Sequence, residues 1–338
     1  MVSILLACRF TILGGGFVRI SEILVYLGKR LLMAILVLLI ISAMVFIAVR
    51  LAPGDPVMNK IGPYGDSSPE NYQRVAAELG LDKNIVTQYI IWIGNCLKLD
   101  FGVSLRSGAN IAETVFQKLP VSFELIFSAL LLALLISIPL GMMAAIHKGG
   151  IVDQIVSIFT TSFMAIPAFC IGLLMILIFS VNLKWLPSSG YTPFAEDHIR
   201  NLRQLTMPAI TLALFETAII SKHVRSQTLD VIGSNYIRTA KAKGMSRRQI
   251  YYKHALRNIL LTVVTVVGTE FASLFGGTVI CEQVFGWSGL GWYIFQSVSN
   301  RDYPAVQASV LIVATIFVFI NLLMDVIYTL IDPRVKLS

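Results

Sequence analysis

Leu31-Leu32-Met33-Ala34-Ile35-Leu36-Val37-Leu38-Leu39-Ile40-Ile41-Ser42-Ala43-Met44-Val45-Phe46-Ile47-Ala48-Val49 runs without a charge between Lys29-Arg30 and Arg50. A helix rises about 1.5 Å per residue, so crossing a hydrocarbon core of about 30 Å takes roughly 20 apolar residues. This stretch is long enough to span a bilayer. Five more follow it. Residues 122–146 carry Glu124 alone, and 154–182 are uncharged with Pro167 near the middle, which predicts a kink because proline removes a backbone donor. Residues 205–221 are short and hold Glu216, 259–281 hold Glu270 and several glycines, and 305–330 hold Asp325.

The composition agrees. Of the 338 residues 56% are hydrophobic and 14% charged, against about 25% charged in soluble domains. A disordered chain, a disulfide scaffold and a soluble enzyme on one anchor are excluded, because the apolar residues fall in several separate blocks. The expected fold is an all-α polytopic membrane protein with six transmembrane helices and a small helical outer subdomain between the first two.

The net charge of +8 follows a pattern along the chain. Segments 1–30, 147–153, 222–258 and 331–338 hold 16 of the 27 basic residues, while 50–121, 183–204 and 282–304 hold 11 basic and 11 acidic ones. By the positive-inside rule this places both termini in the cytoplasm and makes nucleic acid an unnecessary partner for the basic charge. The expected divisions are a cytoplasmic lead-in over 1–30, a first helix over 31–49, an outer subdomain over 50–121, a five-helix core over 122–330 and a cytoplasmic tail over 331–338. Residues 1–28 lack a signal-peptide pattern and read as an amphipathic or loosely ordered segment. In 50–121, Ala52-Pro53-Gly54-Asp55-Pro56 and Gly62-Pro63 mark turns, with Asp55 suited to cap a helix that starts at Pro56. Residues 70–79 and 84–97 read as helices.

Catalytic motifs are missing: there is no GxxxxGK[ST], HExxH or GxSxG, and no GxGxxG followed by a suitable acid. Cys8, Cys96, Cys170 and Cys281 form no CxxC, and His147, His198, His223 and His254 do not cluster within a span. No catalytic residue, metal ligand set or cofactor is therefore expected in this chain. Its work must be driven by an ion gradient or by another subunit.

The connection 222–258 holds nine basic residues and one acid, Asp230. Ser234 is placed to cap a helix over 235–243, Gly244 to end it in a left-handed conformation, and Ser246 to cap a second helix running toward Leu256. The first helix sets Tyr236, Ala240 and Lys243 on one face, and small Ala240 and Ala242 permit close approach to another surface. The hairpin reads either as a connector touching anionic lipid or as a docking element for a protein.

The run Tyr236-Ile237-Arg238-Thr239-Ala240-Lys241-Ala242-Lys243-Gly244, followed by His254-Ala255-Leu256-Arg257-Asn258, resembles the cytoplasmic loop of ABC importer permeases for dipeptides, oligopeptides, glutathione and nickel. That loop's general signature is Glu-Ala-Ala, three residues, then Gly. Arg238 and Thr239 depart from its first two positions; Ala240 and Gly244 match. Further matches are Arg50-Leu51-Ala52-Pro53-Gly54-Asp55-Pro56, Glu78-Leu79-Gly80-Leu81-Asp82, Asp100-Phe101-Gly102, Gly289-Leu290-Gly291, Arg301-Asp302-Tyr303-Pro304 and Asp332-Pro333-Arg334, with Ser288 where many relatives have proline.

The resemblance implies a type I ABC importer permease in a bacterial cytoplasmic (inner) membrane. It implies coupling to ATPases through Arg238, Thr239, Ala240, Lys241, Ala242, Lys243, Gly244, His254 and Leu256. The implied partners are a second homologous permease, two ATP-binding subunits that carry ATP and Mg, and an external substrate-binding protein. Peptides, glutathione-like compounds, nickel and metal chelates are all substrates of such systems. Glu216 and Glu270, set within spans, either line a pathway or pair helices. The competing reading is an ion-gradient-driven transporter with Glu216, Glu270 and Asp325 as coupling residues.

Overall fold

A computed structural model describes residues 9–11, 17–52, 54–62, 65–246 and 249–331. Short strands β1 (Arg9–Thr11) and β2 (Phe17–Arg19) pair antiparallel, with Phe10 opposite Val18. Helix α1 (Ile20–Leu51) starts directly after them, before the apolar stretch itself begins. Asp332-Pro333-Arg334 and residues 1–8 lie outside the described residues.

Three short helices follow, each started by a side-chain cap. Asp55 accepts from the Val57 and Met58 amides at 2.8 and 3.4 Å to begin α2 (Pro56–Ile61). Ser68 caps α3 (Pro69–Glu78) and Asn84 caps α4 (Ile85–Cys96). The Lys60 ammonium reaches Glu78 at 2.8 Å, joining α2 to α3 and holding the exposed Glu78 carboxyl below its usual range.

The main bundle is α5 (Ile111–Ile146), α6 (Ile151–Ala165), α7 (Ala168–Asn182), α8 (His198–Gly233), α9 (Asn235–Ala242), α10 (Leu256–Phe285), α11 (Leu290–Ser299) and α12 (Tyr303–Ile331). Among the described residues five helical segments, within α1, α5, α8, α10 and α12, are long and apolar enough to cross a membrane. A sixth crossing is made if α6 and α7 count as one span.

Where the sequence predicts a kink at Pro167, the chain breaks: α6 and α7 meet at 98°. Ile166 is extended, with φ −86° and ψ 125°. The physical cause is the clash between a proline ring and the residue before it, which pushes that residue out of the helical region.

Helix α8 also differs from expectation. It runs for 36 residues, well beyond 205–221 on both sides. Its flanks are polar but buried, with Asn201, Gln204 and Thr228 all covered by protein. It lies against α5, and Gly141 permits the approach: a Cβ there would sit 2.7 Å from the Ser221 carbonyl and the Val224 side chain.

Among the described residues three apolar clusters hold the helices together. One lies in mid-bundle around Leu125, Ile126, Met207, Phe275 and Trp287. A second gathers Met142, Ile220, Val224, Ile237, Ile250, Ala255 and Ile259 near the α8–α9 junction. The third joins Phe101, Ile111 and Val115 to Leu290, Ala305 and Ala308 at the opposite end. There Leu105 N–H donates to Asp302 Oδ1 at 3.1 Å, the Ser104 hydroxyl also donates to Asp302, and Asn59 donates to the Arg301 carbonyl at 2.9 Å. The α2–α4 subdomain is thereby fastened to the start of α12.

Candidate coupling site

The α9 hairpin is built on local chemistry that can be followed residue by residue. Ser234 occupies the N-cap position, but its hydroxyl donates back to the Val231 carbonyl at 2.6 Å instead of accepting from the helix. At the other end Gly244 takes φ +79°. Its N–H bonds the Lys241 carbonyl at 3.0 Å and the Met245 N–H bonds the Ala240 carbonyl at 3.2 Å, the two bonds of a Schellman stop. The chain then reverses. Ser246 Oγ accepts from the Gln249 amide at 3.3 Å while Gln249 Oε1 accepts from the Ser246 amide at 3.2 Å, a reciprocal capping box.

The second arm, capped at Ser246, runs through Leu256 and beyond it. A π-helical turn over Ile250–Ala255 leads without a break into α10. The hairpin is therefore the base of a membrane helix.

Burial sorts the expected coupling residues. Ile237 and Ala240 face inward and are buried with Ile250, Ala255 and Ile259. Ala240 thus serves close packing within this chain. Arg238, Thr239, Lys241, Ala242, Lys243 and Gly244 are exposed, and so is Tyr236. Of Tyr236, Ala240 and Lys243, spaced along one side of α9, Ala240 is covered by the bundle while Tyr236 and Lys243 are exposed. The Tyr236 hydroxyl accepts from Asn258 Nδ2 at 2.7 Å, a second tie between hairpin and α10, and partial burial raises its phenol pKa. Leu256 packs against the hairpin cluster; the His254 side chain lies outside the described residues. The result is a basic platform on an apolar footing.

Two polar constellations that the sequence did not single out tie the helices of the bundle together. Near the hairpin, Arg225 of α8 makes a two-pronged pair with Asp153 of α6, Nε to Oδ1 at 2.6 Å and Nη2 to Oδ2 at 2.8 Å, while Gly149 N–H donates to the same carboxylate at 2.9 Å. At the far end of α10, Glu282 is fully buried. It accepts from Ser122 Oγ at 2.5 Å and from Trp292 N–H at 2.7 Å, and Leu290 N–H donates to Ser122 Oγ at 2.8 Å. A carboxylate is well placed there because the first turn of α11 presents unpaired N–H groups. Gly291 makes room for it: a Cβ would lie 2.8 Å from Val279 Cα and 3.1 Å from Glu282 Oε2. Glu282 stands just past the apolar run 259–281, where a lone acid reads as an end residue; the signal was Gly289-Leu290-Gly291 beyond it.

Glu216 in α8 is 2% exposed and Glu270 in α10 is half-buried, on helices that pack against each other. Among the described residues Glu216 Oε2 has no hydrogen-bond partner. Asp325 is held apart from them, paired with Arg30 at 3.0 Å.

Residues 137–337 match the family model described as the binding-protein-dependent transport system inner membrane component, and residues 23–126 match the model for the N-terminal part of such membrane components. A putative peptide transport system permease protein of Brucella abortus (strain 2308) is 37% identical over 308 residues, 91% of this chain and 98% of that protein. The oligopeptide transport system permease protein AppB of Bacillus subtilis (strain 168) is 36% identical over 92% of this chain and 99% of its own length. The glutathione transport system permease protein GsiC of Escherichia coli O1:K1 / APEC is 34% identical over 92% and 98%. Among solved structures, a chain of the MetNI methionine ABC transporter in an inward-facing conformation superposes with a TM-score of 0.52 at 21% identity, covering 65% of this chain and 96% of that one. That likeness concerns the fold. With a basic hairpin rooted in a membrane helix and family matches over most of its length, the chain belongs to the inner membrane components of binding-protein-dependent transport systems, the permease subunits of ABC importers, which are not themselves enzymes.

Proposed function

We propose that this chain is one permease of an importer for di- or oligopeptides and that the 236–258 hairpin is where ATPase motion enters it. The peptide assignment draws on the relatives, named for peptide, oligopeptide and glutathione transport. In this reading a second permease and two ATP-binding subunits complete the complex, ATP and Mg are bound by those subunits, and an external binding protein delivers cargo. Both termini and the hairpin face the cytoplasm, and 50–121 forms the outer subdomain.

The observation that carries the coupling role is the continuity of the hairpin with α10. Arg238, Thr239, Lys241, Ala242 and Lys243 are open to a partner, while Ile237 and Ala240 tie the same helix to the bundle. Residues 250–285 form one helical rod, about 54 Å long at 1.5 Å per residue. Its base is in the hairpin and its far end is held by the Glu282 latch. A push on the base tilts the rod rather than bending a loop, and rigid elements of this kind carry alternating access between packed states. Glu216 and Glu270 sit along the α8–α10 contact that such a tilt would shear, as pathway or helix-pairing groups.

The test is isolation of the chain from its native membrane followed by reconstitution. Co-isolation of ATP-binding subunits, and ATP-dependent uptake of a dipeptide only with the binding protein present, are expected. Uptake that survives loss of the ATPases and is abolished by an uncoupler would overturn the proposal.

A further inference from the structure

Helix α4 carries an apolar face that nothing among the described residues covers. Val86 and Ile90 are 62% and 61% exposed, and Leu97, just past the helix, is 83% exposed. At 3.6 residues per turn these three lie on one side of the helix, while Tyr89 and Trp92 turn toward α1. Branched aliphatic side chains gathered on one exposed face mark an interaction surface.

The depth of α4 along α1 identifies the partner. The Tyr89 and Ser42 hydroxyls share a hydrogen bond of 2.7 Å, and Tyr89 also reaches the Leu39 carbonyl at 3.4 Å. The buried Phe46 ring lies 5.5 Å from that of Tyr89 and 5.7 Å from that of Trp92. The charge-free stretch 31–49 is barely long enough for a hydrocarbon core of about 30 Å, so all of it is needed inside. Ser42 then lies about 10 Å below the boundary at Val49. Helix α4 is held at that level by Leu39, Ser42 and Phe46, in a stretch of α1 where Leu39, Ile40 and Ile47 are themselves apolar and exposed.

We infer that α4 is an interfacial helix embedded in the membrane leaflet opposite the coupling hairpin, its Val86, Ile90 and Leu97 side chains in contact with phospholipid acyl chains. The subdomain is anchored in the bilayer by this helix and does not merely sit above it. Exposed Lys83 and Lys98 flank the helix, where long cationic side chains reach the headgroups.

The test uses the unaltered full chain in nanodiscs of a phosphatidylcholine that carries a photoreactive diazirine midway along one acyl chain, with adducts mapped by mass spectrometry. Adducts on residues 85–97 at several-fold the yield found on α3, whose Gln73, Arg74 and Glu78 are exposed, are expected. Yields on 85–97 no higher than on α3 would overturn the inference, whether water or another protein covers the face.

Discussion

The Ser122 hydroxyl donates to Glu282 Oε1 at 2.5 Å, joining α5 to the last turn of α10 across 160 residues of chain. This bond and the Trp292 N–H bond to Oε2 make Glu282 the fixed end of the α10 rod. Replacing it by alanine strands buried donors, each worth about 1–3 kcal/mol when left unmet. Glu282→Gln retains an acceptor. The expected order of thermal stability for the purified chain is wild type, then Glu282→Gln, then Glu282→Ala; an alanine variant as stable as wild type would remove the latch from the account.

The Arg225–Asp153 pair should be asymmetric. Asp153 is buried and the Arg225 side chain is 31% exposed, so Arg225→Ala leaves a carboxylate with too few partners. Breaking a fully buried pair costs about 3–5 kcal/mol, and screening at the exposed arginine reduces this to roughly 1–2 kcal/mol. Arg225→Lys keeps the charge without the fork and should fall between. Denaturation of the three proteins under one condition checks the order.

Tyr191, in the connection before α8, gives an alkaline signature. Burial first, and then the Glu124 carboxylate that its hydroxyl contacts at 3.2 Å, push its phenol from 10.0 up to about 12. A folded-state pKa raised in this way favours the neutral form, so the associated stability is fully present below pH 10 and is lost as the pH rises through about 12. Melting curves from pH 9 to 12 should show a shallower alkaline loss in Tyr191→Phe than in wild type. Identical slopes would exclude Tyr191 as its source.

The sequence reveals the spans where lipid is the solvent and misjudges them where protein is. Residues 31–49 are plain because α1 shows its side chains to the membrane. Helix α8 is mostly covered by neighbours, so Asn201, Gln204, Glu216, Thr217 and Ser221 are tolerated inside it, and hydropathy shortens it to 205–221. Local backbone chemistry was legible: Asp55 and Pro56 start α2, and Gly244 takes the left-handed turn. Ser234 has a cap's position without its bond, since Val231 O competes for its hydroxyl. The pairs Asp153–Arg225 and Ser122–Glu282 were not legible, because partners separated by 72 and 160 residues leave no periodic trace.

Gly244 is open to a conformational test. A Cβ there would meet nothing within 4 Å, so the residue is required only for its φ of +79°. A non-glycine residue in the left-handed region costs about 1–2 kcal/mol, and a β-branched one is the worst case. Gly244→Val should lower peptide taken up per ATP hydrolysed while the protein still reaches the membrane, and Gly244→Asn should retain most of the coupling, because asparagine tolerates that conformation. Equal ratios in all three proteins would remove Gly244 from the coupling role.

The most direct measurement places a photoreactive side chain at Lys241, on the exposed face of α9, and another at Gln73 in α3, in the complete transporter. An adduct from position 241 to an ATP-binding subunit, changing in yield between nucleotide-free and ATP-bound states, with none from position 73, is the predicted result. An actively transporting complex in which position 241 never reaches an ATP-binding subunit would contradict the account.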